Sequence, residues 1–362
     1  MSLDESMKRQ LKEREQSGTL RSLNVNRCDI DFYSNDYLSL SHFRVDSSSL
    51  KESPGSSRLI AGSTEIHHQL ESQIANFFGA QSSLLFNSGY TANTGVLSAI
   101  PKKDDIILFD ELSHASIKDG IRLSLAKGIR FKHNDMSDLK RKLESHSDSR
   151  CFVITEGLFS MDGSFGKVKD IDALCKEFKA YLIVDEAHSG GTTGDTGKGL
   201  SFTDGVLPFI TIYTFGKAFG SHGAAATCSQ LTKEYLINFA RTFIYTTALP
   251  KSVVYRSSKI LEVNLIANQV KKLHLVIGLF NEKFKQFEFS SDEQSPIKIF
   301  HSSNIDLLKR IEANCLKSGT GIKAIFPPTV PKGKSCIRIS LHADHNQEDL
   351  DQMFDAFSQV LS

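Results

Sequence analysis

The sequence contains no tryptophan, only eight prolines and six cysteines in 362 residues, and its formal charge is only +1. The 43 basic and 42 acidic residues leave no positive excess to neutralise a phosphate backbone, which argues against nucleic-acid binding. The cysteines form no CxxC pair and no zinc spacing with histidines, so we expect reduced thiols and no metal site. No stretch reaches the roughly 18 apolar residues of a membrane span, and the charged start lacks the apolar core of a signal peptide. We therefore expect a cytoplasmic protein that does not bind membranes.

Short apolar runs recur through the first two thirds of the sequence, without the polar alternation of a sheet that has one face in water. Such runs are typical of strands buried on both faces. Helix-length segments lie between them, for example Thr64 to Phe78, whose apolar side chains recur every four residues. This alternation predicts a mostly parallel α/β sheet. The predicted strands are Leu84–Phe86, Ile106–Phe109, Cys151–Ile154, Tyr181–Val184 and Phe209–Ile212.

A change of pattern at Pro250 separates this sheet from the C-terminal part of the chain. A long amphipathic helical region follows to about residue 285, and then a shorter α/β tail. The sequence therefore predicts an N-terminal segment over 1–49, a large domain over 50–249 and a small α/β domain over 250–362. The predicted elements of the tail are strands at Ile297–Phe300, Ile322–Phe326 and Ile337–Leu341 and a helix at Asp349–Leu361.

Candidate site residues follow the apolar runs, because ligands of doubly wound sheets bind beyond the carboxyl ends of the strands. The small-residue turn at Asn87–Asn93 suits phosphate at a helix N-terminus, or it is a plain turn. The acidic pair that begins at Asp185, with His188 three residues later, fits a metal pair, a catalytic dyad, a cofactor clamp or a helix cap. Lys217 lies among Phe, Ala and Gly, where desolvation would make it a nucleophile, unless it is a solvated loop lysine.

Six motifs, in this order and spacing, resemble the α-oxoamine synthases, a family of fold-type I enzymes that use pyridoxal 5′-phosphate. The resemblance covers almost the whole chain and implies a fold-type I transferase, with a mostly parallel large domain and a smaller α/β domain. Enzymes of this family condense an amino acid with an acyl thioester, release carbon dioxide and form an aminoketone. The six motifs are Ser34–Leu38, Gly55–Leu59, Ser113–Ser116, Thr155–Gly163, Val184–His188 and Thr214–Lys217.

The same resemblance implies the catalytic and cofactor-binding residues. Lys217 is expected to bind the cofactor covalently and then to act as acid and base, Asp185 to contact the pyridine nitrogen, and His114 to stack on the ring. In this family the site lies at a homodimer interface, so a homodimer is implied as well. The other implied cofactor residues are Gly89, Tyr90 and Thr214 at the phosphate, His188 and Ser160 at the ring 3′-oxygen, Glu156 beside them and Thr246 from the partner subunit.

Substrate-binding residues also follow from the resemblance. Arg338 matches the family arginine that binds the carboxylate of the amino acid, a role suited to a planar bidentate donor, with an ion pair on a strand face as the alternative. Arg21 and Asn35 match positions near the acyl donor or the bound amino acid. Thr329 and His114 complete the implied substrate contacts.

The segment Ile325–Pro331, which includes Pro-Pro-Thr-Val-Pro, resembles one branch of the family, the 8-amino-7-oxononanoate synthases. Ile244–Pro250 resembles the same branch, which joins L-alanine to a pimeloyl thioester in biotin biosynthesis. Two positions depart from the pattern: Phe326 stands where an arginine is common, and Ser53 and Pro54 replace a glycine-containing stretch. Whether the acyl group arrives on coenzyme A or on a carrier protein stays open.

Two alternatives to this branch remain at this stage. One is another α-oxoamine synthase that uses glycine or serine with a different acyl-CoA, similar to 2-amino-3-ketobutyrate CoA ligase or serine palmitoyltransferase. The other is a non-catalytic partner subunit with the same fold. Such subunits usually lack the cofactor-binding lysine, whereas Lys217, Asp185 and His114 are all present here.

Overall fold

A seven-stranded sheet with helices on both faces forms most of the fold, and a three-stranded sheet follows in the C-terminal part. The computed structural model describes residues 1–17, 19–21, 23, 28–50, 53–262, 265–327, 329–331 and 333–361. The helices are α1 (Leu3–Gln16), α2 (Glu65–Phe78), α3 (Gly89–Ala99), α4 (Ala115–Leu123), α5 (Met136–Glu144), α6 (Val168–Glu177), α7 (Leu200–Thr203), α8 (Gln230–Phe239), α9 (Arg241–Ile244), α10 (Lys251–Glu262), α11 (Leu265–Lys283), α12 (Ile305–Lys317) and α13 (Gln347–Leu361). The strands are β1 (Ile30–Asp31), β2 (Ser82–Phe86), β3 (Ile106–Asp110), β4 (Lys127–Phe131), β5 (Cys151–Glu156), β6 (Tyr181–Asp185), β7 (Ile210–Thr214), β8 (Ala224–Cys228), β9 (Ile297–His301), β10 (Thr320–Gly321), β11 (Lys323–Ile325) and β12 (Cys336–Ser340).

The large sheet has the strand order β2-β8-β7-β6-β5-β3-β4. Strand β8 is antiparallel to both of its neighbours, and the other pairs are parallel. The mostly parallel α/β sheet is therefore confirmed. Because β2 and β7 both run opposite to β8, the carboxyl ends of β2, β3, β5, β6 and β7 meet at one edge of the sheet.

Burial of both faces explains why the strands are uninterrupted apolar runs. In β2, Leu84 and Phe86 pack on one face in the cluster that contains the buried side chains of α3. Leu85, between them, packs on the other face with Leu70 and Ile74 of α2. Since successive side chains of a strand point to opposite faces, each residue of such a strand enters one apolar layer or the other.

The C-terminal sheet has the order β11-β12-β9 and is antiparallel throughout. Its central strand is β12, which carries Arg338 opposite Ile299 of β9. The small parallel pair of β1 and β10 ties the N-terminal segment to this part of the chain. Arg338 is therefore held on a strand that is paired on both sides.

Several elements differ from the sequence-based expectation. Strand β8 consists largely of alanine and β4 carries exposed Lys127 and Arg130, so neither has the apolar signal of a buried strand. The strand predicted at Ile322–Phe326 is limited to β11, while the predicted long helical region contains α10 and α11. Pro328 of the Pro-Pro motif lies outside the described residues.

The division into 1–49, 50–249 and 250–362 stays a prediction. Within the described ranges, no helix is long and apolar enough to cross a membrane.

Candidate active site

Four parallel strands of the large sheet each end on a polar residue at the same edge. These residues are Asp110 of β3, Glu156 of β5, Asp185 of β6 and Thr214 of β7. The first three are buried carboxyl groups, at 0, 4 and 5% exposure. Buried carboxyl groups require hydrogen-bond partners or opposite charges, so their partners define what the site can bind.

Lys217 follows β7 and its side chain is half-buried, with Nζ 2.7 Å from Nε2 of His188. Burial lowers the pKa of Lys217 to about 8, although the negative charge of Asp185 opposes this shift. Lowering the pKa of an amine increases its neutral, nucleophilic fraction near neutral pH. Lys217 is therefore a partly buried amine with a lowered pKa, the state that suits a nucleophile, and its role as a nucleophile stays a prediction.

His188 connects Lys217 to a buried tyrosine. Its Nδ1 lies 2.7 Å from the hydroxyl of Tyr37, and that hydroxyl donates to Oδ1 of Asn35 at 3.1 Å. Because the tyrosine proton is used on Asn35, Nδ1–H of His188 must donate to Tyr37, which leaves Nε2 as an acceptor facing Lys217. Burial, followed by the charges of Lys217 and Arg338, lowers the pKa of His188 well below its usual range, consistent with this neutral tautomer.

Asp185 and His114 are joined by a short hydrogen-bond chain. Asn93 donates to Oδ2 of Asp185 at 2.6 Å and to Oγ of Ser116 at 3.0 Å, and Oγ of Ser116 lies 2.8 Å from Nδ1 of His114. The Ser116 amide also donates to that Nδ1 at 3.2 Å, so Nδ1 is an acceptor. Burial and the nearby Lys217 charge lower the pKa of His114, with Asp185 opposing, which favours a neutral ring.

Glu156 holds the turn that presents His114. Its Oε1 accepts a hydrogen bond from the backbone N–H of His114 at 2.5 Å. Burial and the charge of Asp185 raise the pKa of Glu156 well above its usual range. We therefore expect a neutral carboxylic acid, which positions His114 without adding a second negative charge beside Asp185.

The N-terminus of α3 and Thr214 form a concave polar corner. A side chain at Gly89 would place Cβ 2.4 Å from Oγ1 of Thr214, so only glycine fits there. Oγ1 of Thr214 is buried and has no hydrogen-bond partner among the described residues. The Thr91 amide is capped by Oγ of Ser88, whereas the amides of Gly89 and Tyr90 have no helical carbonyl to satisfy them. Together with this hydroxyl, these two amides form a set of donors suited to an anion.

Arg338 is buried, at 6% exposure, and its hydrogen bonds go to neutral acceptors. Nε donates to the carbonyl of Ser160 at 2.8 Å, and the terminal nitrogens donate to Ser340 Oγ at 2.7 Å, Asn35 Oδ1 at 2.9 Å and Tyr37 Oη at 3.3 Å. Among the described residues no carboxylate forms an ion pair with it, so the alternative of a strand-face ion pair does not apply. A buried guanidinium without a counter-ion favours an anionic ligand.

The remaining predicted residues are Tyr90, Arg21, Thr329 and Thr246. Tyr90 is 46% exposed, donates its hydroxyl to Asp119 and has its ring centre 6.4 Å from that of His114. Arg21 donates to Oγ1 of Thr329 at 3.0 Å, and both are exposed. Thr246 is next to Thr247, whose carbonyl accepts from Asn87 of the turn after β2. Roles for these residues stay predictions.

Tyr37, Asn93 and Ser116 are site residues to which the sequence reasoning assigned no role. Asn93 lies four residues after Gly89 on α3, so helical spacing could have placed it on the same face. Tyr37 stands in the Ser34–Leu38 motif, but its link to His188 joins residues 151 positions apart. No sequence pattern reports a contact of that separation.

The fold and the site together define an α/β enzyme with a partly buried lysine, a buried aspartate and a polar corner at a helix N-terminus, all at the carboxyl edge of its sheet. The chain belongs to the family described as aminotransferase class I and II, which residues 28–357 match.

Comparison with individual proteins is more specific. The chain is 39% identical over 317 residues to an 8-amino-7-oxononanoate synthase of Geotalea daltonii, covering 84% of this chain and 80% of the relative. A solved structure of an 8-amino-7-oxononanoate synthase from Francisella tularensis is 33% identical and covers 92% of this chain and 97% of its own, with a TM-score of 0.75. A serine palmitoyltransferase of Sphingomonas wittichii has a TM-score of 0.91 over 99% of this chain and 98% of its own, and at 24% identity this likeness concerns the fold alone.

Proposed function

We propose that this chain catalyses the decarboxylative condensation of L-alanine with a pimeloyl thioester, giving 8-amino-7-oxononanoate for biotin biosynthesis. The chain is an acyltransferase that depends on pyridoxal 5′-phosphate, as its family membership and relatives indicate. The observation that carries the proposal is that Lys217 is a partly buried amine within electrostatic reach of both Asp185 and Arg338. Asp185 suits the ring nitrogen of the cofactor, and Arg338 suits a substrate carboxylate.

The residues present fit pyridoxal phosphate. The unpartnered hydroxyl of Thr214, Gly89 and the first-turn amides of α3 would hold the phosphate. Asp185 would accept from the ring nitrogen, His114 would cover the ring face, and Lys217 would bind the aldehyde carbon. When bound, the cofactor supplies an electron sink for negative charge at Cα of the amino acid.

Proton transfer is the task of the chain's own residues. Lys217 has a pKa of about 8, which allows its amine to take a proton from Cα and return it near neutral pH. His188, held by Tyr37, presents an acceptor nitrogen to that amine and keeps it oriented. Arg338 would orient the amino acid through its carboxylate.

We expect Arg338→Ala to weaken binding of the amino acid by about 1.5–3 kcal/mol, or roughly 10- to 150-fold, because a charged hydrogen bond is lost. Titration of the cofactor's visible absorption with L-alanine measures this affinity. Arg310→Ala, which removes an exposed arginine of α12, serves as the control. Unchanged affinity in a folded Arg338→Ala protein would mean that the carboxylate is held elsewhere.

We further propose a cytoplasmic homodimer in which Thr246 of one subunit contributes to the site of the other. Exposed apolar side chains next to the site support a partner surface: Tyr90, Leu112 and Tyr245 are 46, 42 and 71% exposed. Sedimentation at micromolar concentration tests the dimer. A monomer with full activity would contradict this part of the proposal.

One assay tests the proposed reaction. The purified protein is incubated with L-alanine, glycine or L-serine and with thioesters of different acyl chains, on coenzyme A and on carrier protein, and the aminoketone is identified by mass. We expect 8-amino-7-oxononanoate from L-alanine and the pimeloyl thioester. Product from glycine or serine alone would instead indicate another synthase, and a protein that never reacts with pyridoxal phosphate would indicate a non-catalytic subunit.

A further inference from the structure

Two loops carry groups of the candidate active site. We call residues 110–114 the β3 turn, which ends on His114, and residues 158–165 the β5 hairpin, which contains Ser160. The β5 hairpin is closed by a bridge between Leu158 and Phe165, and its Ser160 carbonyl accepts from Arg338. The positions of His114 and Arg338 therefore depend on how these two loops are held.

His133, just beyond β4, contacts both loops. Its Nδ1 lies 3.0 and 3.1 Å from the two carboxylate oxygens of Asp110, the first residue of the β3 turn. Its Nε2 lies 2.9 Å from Oγ of Ser164 in the β5 hairpin, and the edge of its ring meets Phe159 at a centroid distance of 4.6 Å. Neither nitrogen is left for solvent, although the side chain is 20% exposed.

We propose that His133 is a positioning residue of the active site, whose two ring nitrogens join Asp110 of the β3 turn to Ser164 of the β5 hairpin. This inference rests on the proposed cofactor site. His133 itself contacts neither Lys217 nor His114, so it acts through the loops.

Each end of the bridge is set by further hydrogen bonds. Asp110 accepts from the backbone amides of Leu112 at 2.9 Å and Asn134 at 3.1 Å, which shapes the β3 turn. Ser164 donates to Oδ1 of Asp162 at 2.9 Å, which closes the β5 hairpin. A change at His133 therefore reaches the hydrogen bonds that define both loops.

The residue after His133 has an unusual backbone that supports the same contact. Asn134 has a φ of 52°, a left-handed conformation that asparagine tolerates better than most residues. Its side-chain amide donates to the carbonyl of Phe165 at 2.9 Å and its Oδ1 accepts from the amide of Lys167 at 3.1 Å. The chain thus adopts a disfavoured conformation where it aims His133 at the two loops.

The charge of the bridge depends on pH. The charged groups that face the ring are Asp110 and Glu111 from the β3 turn and Asp162 from the β5 hairpin, whose Oδ2 lies 3.6 Å from Nε2. Burial lowers the pKa of His133, but the hydrogen bond to Asp110 and these carboxylates outweigh it, and the net pKa is raised. His133 is fully protonated at pH values below the ordinary histidine pKa. Its proton, and with it the charged form of the link, is lost as pH rises through the raised pKa of His133. The neutral ring keeps Nδ1–H on Asp110, while Nε2 becomes an acceptor for Ser164 or for the Asn134 amide 3.1 Å away.

Two variants and one control test the bridge by amide hydrogen exchange. His133→Gln removes the charge and one end of the link, and Ser164→Ala removes only the β5 end and leaves the ring in place. His146→Gln changes a histidine at the end of α5 that contacts neither loop. We expect amides of both loops to exchange about tenfold faster in either variant, the effect of losing one charge-assisted hydrogen bond, and to be unchanged in the control.

The cofactor provides a second readout. Circular dichroism of bound pyridoxal phosphate reports how asymmetrically its ring is held, and we expect a weaker signal for both variants at temperatures where they remain folded. In the wild type, the exchange rate of both loops, corrected for intrinsic exchange, should rise as pH passes through the raised His133 pKa, and His133→Gln should lack this step.

The outcomes separate this inference from the proposed function. If Ser164→Ala accelerates exchange in the β5 hairpin alone and leaves the circular dichroism of the cofactor unchanged, His133 is not a positioning residue. Ser164→Ala gives this answer even if His133→Gln does not fold. Failure of the wild type to bind pyridoxal phosphate would overturn the proposed function instead, while coupled exchange of the two loops would still establish the bridge.

Discussion

Lys217→Ala is expected to reduce turnover by at least about 10³-fold, because it removes the group that both binds the cofactor covalently and moves the proton at Cα. Most hydrogen bonds of the site do not involve Nζ, so we expect the variant to fold. Thr214, the α3 amides and Asp185 should still bind pyridoxal phosphate, without the covalent link. The measurement pairs product formation with borohydride reduction, which fixes the cofactor to the wild type and should not fix it to the variant.

A matched control for this prediction is Lys198→Ala. Lys198 lies in the glycine-rich stretch after β6, and its Nζ lies 4.5 Å from the ring centre of Phe202 and 5.6 Å from that of Phe77. It should keep nearly full activity and normal borohydride trapping. Activity of Lys217→Ala within tenfold of the wild type would refute the role of Lys217, whatever the control shows.

The sequence predicted which polar residues lie at one edge of the sheet where those residues directly follow a buried strand. Asp185 and Thr214 are the last residues of β6 and β7, and Lys217 comes three residues after β7. Parallel strands bring such positions to one edge, so apolar runs followed by polar residues were sufficient to predict that these residues come together. The lowered pKa expected for Lys217 from its apolar neighbours is also what the structure shows.

The contacts that orient these groups could not be predicted, because they join distant parts of the chain. Tyr37 reaches His188, and Arg338 reaches Asn35 and Ser160, across separations of 151 to 303 residues. Their formation depends on how the N-terminal segment and the C-terminal sheet pack on the large sheet. No local periodicity carries that information.

Phe326 departs from the family pattern. The structure shows where its side chain lies, which the sequence alone could not show. Its side chain is partly buried against the core cluster of the C-terminal part, and Nζ of Lys309 lies 6.0 Å from its ring centre. An apolar ring at this position packs where a guanidinium would need a partner. The substitution is therefore compatible with the fold, and the substrate panel decides its effect on the acyl chain.

Asp185→Asn is expected to reduce kcat by about 10²- to 10³-fold, the range measured when one preorganised electrostatic contact to a reacting group is removed. Two oxygens of Asp185 already accept hydrogen bonds, from Asn93 at 2.6 Å and from the Ala187 amide at 2.9 Å. The carboxylate has further lone pairs with which to hold a proton at the ring nitrogen. An asparagine keeps the shape but loses the charge that favours that proton.

The design of this test separates charge from folding. The affinity of Asp185→Asn for the cofactor should stay within about tenfold of that of the wild type. The phosphate corner at Thr214 and Gly89 is intact, and the loss of one contact changes a dissociation constant by about tenfold. Asp195→Asn, an exposed carboxylate in the glycine-rich stretch after β6, is the matched control and should change neither kcat nor affinity. If Asp185→Asn kept kcat within threefold while binding the cofactor normally, Asp185 would serve only to anchor Asn93. The acid-base work would then be assigned to Lys217, since burial and the charge of Asp185 raise the pKa of the neighbouring carboxyl group Glu156 well above its usual range.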